Sequence, residues 1–190
     1  MSNLELQNFN DLPQQSLKEQ QSIAVYDQLS EVLSKAHIAL FRVPIDKRCA
    51  KRYKRWFGVT HAEMKFWVDK PFVDVQVKAN IKKIHTKVMK EKTIIRPDMN
   101  PRKSTTVAYV RHEDEECIIY LCPPFFKRAG DAEARRSAVG TIIHELGHKY
   151  CKWEDIEYGG ARKLAEDEPL LARKNARNYQ KFCDAIMKMK

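Results

Sequence analysis

The chain lacks several features that would have pointed elsewhere. No stretch of its 190 residues approaches the roughly 20 apolar positions of a membrane-spanning helix. The opening segment, Met1 to Gln21, is rich in Asn, Gln and acidic residues and holds no apolar run. An ordinary signal peptide is therefore not expected there, which leaves the cytoplasm or an export route that reads no such signal. Five cysteines (Cys49, Cys117, Cys122, Cys151 and Cys183) include no C-x-x-C pair. An odd number leaves at least one thiol unpaired in a monomer, so a disulfide framework is not required. No internal repeat, low-complexity tract or long linker interrupts the chain, and its length suits one domain with a core of its own.

Charge is abundant. Lysine and arginine number 35 against 25 acidic residues, giving a formal net charge of +10. That balance favours anionic partners: acidic substrates, cell-wall polymers, membranes or nucleic acid. The segment Lys47 to Phe57 interleaves Arg48, Lys51, Arg52, Lys54 and Arg55 with Tyr53, Trp56 and Phe57. Such interleaving can mark nucleic-acid binding. It equally describes a helix with one solvated and one packed face, which is the preferred reading, and no nucleic-acid partner is expected.

Periodicity predicts a mainly helical chain. A helix is expected from Gln14 to Phe41, with Leu17, Val25, Leu29, Val32, Leu33 and Ala36 near one face. Gly58 should end the basic helix, and Thr60 with Glu63 forms a capping-box pattern. From His61 to about Lys92 the pattern is again helical, with Phe66, Val73, Val77, Ile81, Ile84 and Val88 as core candidates and Pro71 as a kink or break. Strands are expected over 93–96, 106–111 and 117–121, the last two joined as a hairpin by the acidic turn His112 to Glu116. Helices follow at Ala161 to Glu166 and Leu171 to Met189, with Pro169 between them.

The chemistry concentrates in His144-Glu145-Leu146-Gly147-His148. Histidines four residues apart project from the same helix face about one turn apart, so both imidazoles can share one cation. Zinc is the usual choice for such nitrogen ligands, and Glu145 can reach a metal-held water without being a ligand. Val139, Ile142, Ile143, Leu146 and Tyr150 form an apolar stripe from which both histidines point away. His61, His85 and His112 have no metal-like spacing and read as surface or core histidines. A catalytic zinc site takes three protein ligands plus water. On spacing alone Asp155, Glu166, Asp167 and Glu168 all compete for the third place.

Asp155-Ile156-Glu157-Tyr158-Gly159 follows the motif closely. H-E-x-x-H with a nearby D-x-x-Y-G resembles the aspzincin metallopeptidases, which include deuterolysin and the peptidyl-Lys metalloendopeptidases. The segment Arg52-Tyr53-Lys54-Arg55-Trp56-Phe57-Gly58 is similar to one in the peptidyl-Lys group. So are Ala108-Tyr109-Val110, Ile119-Tyr120-Leu121-Cys122 with Phe125-Phe126, and the stretch from Asn175-Ala176 to Phe182. The resemblance implies an α+β, zincin-like fold, mainly helical with a small β-sheet beside the active-site helix. It implies a zinc endopeptidase in which His144, His148 and Asp155 hold Zn²⁺, Glu145 is the general base for a metal-activated water, and Tyr158 donates to the oxyanion. Residues 46–190 would form the metallopeptidase domain, with a tail and helix over 1–45 packed on it. Secreted relatives use disulfides, so one or two are compatible with the family.

One departure bears on specificity. Lysine-specific members hold the substrate lysine with two acidic residues on the late helix. The matching positions here are Arg177 and Gln180, a reversal and a loss of charge. A cationic pocket repels lysine and can pair with a carboxylate. The expected substrate is a protein or peptide. The alternatives are cell-wall stem peptides, cut by a delivered antibacterial toxin with an inhibitor or immunity partner, or no substrate at all, the chain being a zinc-stapled binding module. The intact Glu145 argues against the last.

Overall fold

A computed structural model describes residues 3–10, 14–41, 46–60, 63, 74–130 and 135–188. The longest element, helix α1 (Gln15–Phe41), buries Val25, Leu29, Val32, Leu33, Ala36 and Leu40 along one stripe. Leu17, expected on that stripe, is 46% exposed. Eight residues from Val25 leave it about 80° off the stripe's direction. Helix α2 (Lys47–Phe57) begins where Asp46 accepts hydrogen bonds from the N–H groups of Arg48 (2.8 Å) and Cys49 (3.2 Å). It buries Cys49, Tyr53 and Phe57 and turns Lys47, Lys51, Lys54 and Arg55 outward, the amphipathic arrangement read from sequence. Gly58 ends it at φ +67°, where a Cβ would stand 2.0 Å from the Ala165 carbonyl oxygen. Only glycine fits both constraints.

The Thr60 capping box forms as expected. Thr60 N–H donates to Glu63 (2.8 Å) and Glu63 N–H donates back to the Thr60 hydroxyl (3.3 Å). His61, Phe66, Pro71 and Val73 lie outside the described residues. Helix α3 (Val75–Lys90) starts afresh at the Asp74 cap, so of the kink or split expected between 61 and 92 the described residues fit the split. Val77, Ile81, Ile84 and Val88 are buried.

Strands β1 (Leu4–Leu6), β2 (Thr93–Pro97), β3 (Ala108–Val110) and β4 (Cys117–Leu121) form a mixed sheet in the order β1-β2-β4-β3. The β3–β4 hairpin is antiparallel as expected, whereas β2 runs parallel to both β4 and β1. The segment read as a tail therefore contributes a strand. Its three residues are too few to show an alternating pattern, and parallel pairing to a distant segment leaves no local signal.

Pro123 and Pro124 stop the sheet and open helix α4 (Pro123–Gly130), which leads towards α5 (Arg135–Cys151). Helices α6 (Ala161–Asp167), α7 (Pro169–Ala172) and α8 (Ala176–Met187) complete the chain. The helix expected from 171 to 189 is broken at 173–175 because its backbone is used elsewhere. Glu154 N–H donates to the Lys174 carbonyl and Ala176 N–H to the Glu154 carbonyl, both at 2.9 Å. Arg173, buried beside this break, pairs with Glu63 (2.6 Å) and Asp74 (3.2 Å). The five cysteines are all free thiols. The architecture is α+β and mainly helical, with α5 running beside β3.

Asp184 on α8 gives one test of this packing. Its Oδ1 is buried without a hydrogen-bond partner, and burial pushes the carboxyl up to about 6, with Lys181 and Arg177 only partly offsetting that. A folded value above the unfolded one gives stability that is fully present below about pH 4 and lost as pH rises through about 6. Asp184→Asn should therefore unfold later in urea at pH 8, by on the order of 2 kcal/mol. The gain should vanish near pH 4.

Candidate metal centre

Helix α5 carries His144 and Glu145 inward at 5% and 8% exposure. Residues Ala138, Val139, Ile142, Ile143 and Leu146 pack into the core and fix the helix's rotation. His144 Nε2 and His148 Nε2 stand 3.0 Å apart. Asp155 Oδ1 lies 3.0 Å from the first and 3.4 Å from the second. Tetrahedral ligands held about 2.0–2.1 Å from zinc lie about 3.3 Å from one another. Two imidazole nitrogens and a carboxylate oxygen at these separations fit that ion after small outward shifts.

The segment between the histidines and Asp155 is positioned by backbone geometry. Lys152 adopts a left-handed conformation (φ 56°), which ends α5 and turns the chain back over it. Trp153 N–H then donates to the Gly147 carbonyl (3.3 Å), and His148 Nδ1 meets the Trp153 carbonyl at 2.7 Å. That bond assigns the proton to Nδ1 and leaves Nε2 as the converging lone pair. The Trp153 ring stacks on Tyr179 (3.7 Å, 15°) and covers Gly147 so closely that a Cβ would stand 1.6 Å from it. Gly147→Ala should cost about 3 kcal/mol by overpacking and should weaken metal binding too, because it displaces the carbonyl that orients His148. Thermal melts with and without zinc will read both effects.

Asn175 does similar work from the other side. Fully buried, it accepts from the N–H groups of Ile156 (3.0 Å) and Glu157 (3.2 Å) and donates to the Glu157 carbonyl (2.9 Å). It pins the loop beyond Asp155. Neither Asn175 nor Trp153 carried a role in the sequence reading. Asn175 lay at the start of a family-like helix, which marked the position but not its use.

Charge states follow from these surroundings. Burial lowers the His144 pKa, aided by the neighbouring His148. Burial also acts to lower His148, but Asp155, the Trp153 carbonyl and Glu145 together raise it. Burial would raise Asp155, yet the neighbouring His144 and His148 imidazoles and the Tyr158 hydroxyl hold it far below the usual carboxylate range. Glu145 is pushed up to about 8 by burial, with His148 and the Val110 N–H pulling partly the other way. A divalent cation beside it would lower that value further. A neutral His144 and an ionised Asp155 are the forms that bind a metal.

The other carboxylates do not converge. Glu166 and Asp167 pair with Arg162 (2.9 Å) and Lys163 (2.6 Å) on the exposed face of α6, and Glu168 is exposed where α6 meets α7. Among the described residues, His144, His148 and Asp155 are the group whose ligand atoms gather within 4.8 Å. The Tyr158 ring lies 6.0 Å from that of His144, and its hydroxyl bonds to Asp155. Burial and Asp155 both raise its pKa, so it stays a donor. Arg177 is half-buried and donates to the oxygen of buried Gln180 (2.7 Å), and its charge is felt at both His144 and Tyr158. His85 meets the Ser34 hydroxyl (3.0 Å) and takes no part in the centre.

A family model described as lysine-specific metallo-endopeptidase, the aspzincins, matches residues 45–184. An extracellular protease of Aeromonas hydrophila is 30% identical over 150 residues, which cover 74% of this chain and 37% of that protein. A peptidyl-Lys metalloendopeptidase of Armillaria mellea is 35% identical over 91 residues, covering 46% of this chain and 25% of that one. The chain thus spans less than two fifths of the length of these curated relatives. Among solved structures, a zinc peptidase from Grifola frondosa superposes with a TM-score of 0.66 at 20% identity, over 90% of this chain and 98% of that chain. That likeness concerns the fold. With the family model running from the start of α2 far into α8, across the whole candidate centre, the chain belongs to the aspzincin metallo-endopeptidase family, for which zinc is the cofactor.

Proposed function

We propose that this chain is a zinc-dependent endopeptidase in which His144, His148 and Asp155 hold the metal and Glu145 is the general base. The convergence of two Nε2 atoms and Oδ1 within 3.0–3.4 Å carries the reading. Zinc, when bound, supplies Lewis acidity, acidifying water and polarising a carbonyl. Glu145 takes the proton of the attacking water and delivers it to the leaving amine. Its buried position keeps that proton from bulk solvent. Tyr158 exchanges its bond to Asp155 for one to the carbonyl oxygen as negative charge develops there. Its 57% exposure leaves the ring free to turn.

The peptide itself is placed by β3. Cys122 N–H donates to the Val107 carbonyl, which makes 107/122 and therefore 109/120 the hydrogen-bonded pairs of the hairpin. Ala108 and Val110 then face their backbone groups away from β4, and with the Val110 N–H turned to Glu145 the Ala108 groups and the Val110 carbonyl form the edge a peptide can meet. An extended substrate adds there as a strand. Arg177 near the centre disfavours lysine and favours a carboxylate on the adjoining residue.

The same positive charge supports a second substrate, the carboxylate-bearing stem peptides of bacterial cell wall, cut by a delivered toxin countered by an immunity protein. Digesting a denatured protein and purified peptidoglycan side by side, with and without chelator, separates the readings. Chelator-sensitive cutting of the protein supports the endopeptidase, and release of stem peptides alone supports the wall hydrolase. Bound zinc with no cleavage of either leaves a binding module. Mapping the cut sites should show no lysine preference; a clear one would overturn the role given to Arg177.

A further inference from the structure

The outer face of the sheet, opposite the helices, bears a groove of roughly 870 Å³. Strand alternation sends Ala108, Ile119 and Leu121 into the core and the neighbouring Tyr109 and Tyr120 to the other side. Tyr109 and Tyr120 stack face to face at 4.7 Å with a 7° tilt. Their hydroxyls donate to Asp98 (2.8 Å) and Asp114 (3.1 Å), so both carboxylates are engaged at the rim. The Arg111 guanidinium lies 4.7 Å from the Tyr120 ring centre and 5.8 Å from that of Tyr109. Arg96 approaches Tyr120 at 5.8 Å, and its Nε is buried without a partner.

Arg102 and Lys103 complete the lining, which holds four cations against the carboxylates of Asp98 and Glu113. Among the described residues none of these four cations sits in an ion pair. Arg96 donates to the Gln7 side-chain oxygen (2.5 Å) and Arg111 makes one long contact with the Tyr109 hydroxyl (3.4 Å), so the rest of the Arg111 N–H edge is what can grip a carboxylate. Lys149 of α5 donates to the Arg111 carbonyl (3.2 Å) and to that of Asp114, tying the rim of the groove to the helix that bears the metal-site histidines.

We propose that this groove is a subsite for acidic side chains, glutamate or aspartate, at alternate positions of a peptide lying along β3. It rests on the endopeptidase reading for the presence of that peptide. A strand added to the β3 edge points successive side chains to opposite faces of the sheet. One set meets the metal-site cleft, and the other set, two residues apart, reaches Arg111 and the tyrosine pair. The groove thus reads every second residue by charge, at a distance from the scissile bond that Arg177 does not cover.

The test uses one extended peptide carrying Glu, Ala or Lys singly at each position from four before to four after the cut. With zinc-loaded protein, kcat/KM should favour Glu over Lys by about tenfold at positions two residues apart and not at those between. Arg111→Glu should erase or invert that ratio. The same labelled Glu and Lys peptides are titrated into zinc-loaded Glu145→Gln protein, where tighter binding of the Glu peptide is expected. Cleavage without an alternating charge preference, or a preference that Arg111→Glu leaves intact, overturns the subsite and leaves the peptidase standing. No cleavage, but charge-selective binding that Arg111→Glu abolishes, overturns the peptidase and keeps the groove. Neither cleavage nor selective binding overturns both.

Discussion

Replacing Glu145 with glutamine should lower peptide hydrolysis by about 10³-fold or more while zinc content stays at one ion per chain. The upper part of the range for a positioned general base applies because, in the proposed mechanism, one group would serve both proton transfers. Glutamine matches the side chain in shape and can still accept from the Val110 N–H, so β3 should hold its place. The thermal melt should not fall, since removing a buried acid pushed up to about 8 takes away a desolvation cost. Activity is read as kcat/KM on a fluorogenic peptide and metal by atomic absorption. Retention of more than a tenth of the wild-type rate would show that another group moves the proton.

Asp155→Ala should act one step earlier, on the metal itself. Loss of the proposed third ligand should weaken zinc by more than about 100-fold, beyond what losing an outer-shell partner does. The two histidines would remain, 3.0 Å apart, with nothing anionic to complete the set. Competition with a chromophoric chelator gives the affinity directly. Glu168→Ala is the companion variant, and it should bind zinc as the wild type does because its side chain is exposed away from the centre. Should the two variants behave the other way round, the third ligand assigned to this chain is wrong.

How much of this was legible depended on whether the signal was local. The helix-borne pair His144 and His148 is fixed by a single turn, so spacing was enough. Asp155 is not on that helix. Its approach depends on the left-handed Lys152 and on Asn175 bonding across 18 and 19 residues, which no periodicity reports. Resemblance to a family, not spacing, separated it from Glu166, Asp167 and Glu168. The break at 173–175 was missed for a related reason: its cause is the pairing of Glu154 with Asn175, and helix propensity there is otherwise continuous. Strand β1 was invisible because Leu4 to Leu6 becomes a strand through Thr93, Ile94 and Ile95, far along the chain. The grip of Arg177 on Gln180 is set by two side-chain conformations, which no sequence pattern reports.

The two borders of the sheet have opposite fates. Along one, Leu4 to Leu6 forms a brief strip whose Glu5 is bound to Lys92, a short and charged margin that discourages other chains from joining. Along the other, β3 pairs on one side only, and its Val110 N–H turns to Glu145. Trimming the first ten residues would strip Thr93 to Ile95 of their β1 partners, and that bared edge would invite copies of the protein to stitch together. A form lacking β1 should therefore self-associate more readily than the full chain, which sedimentation of the two side by side will read.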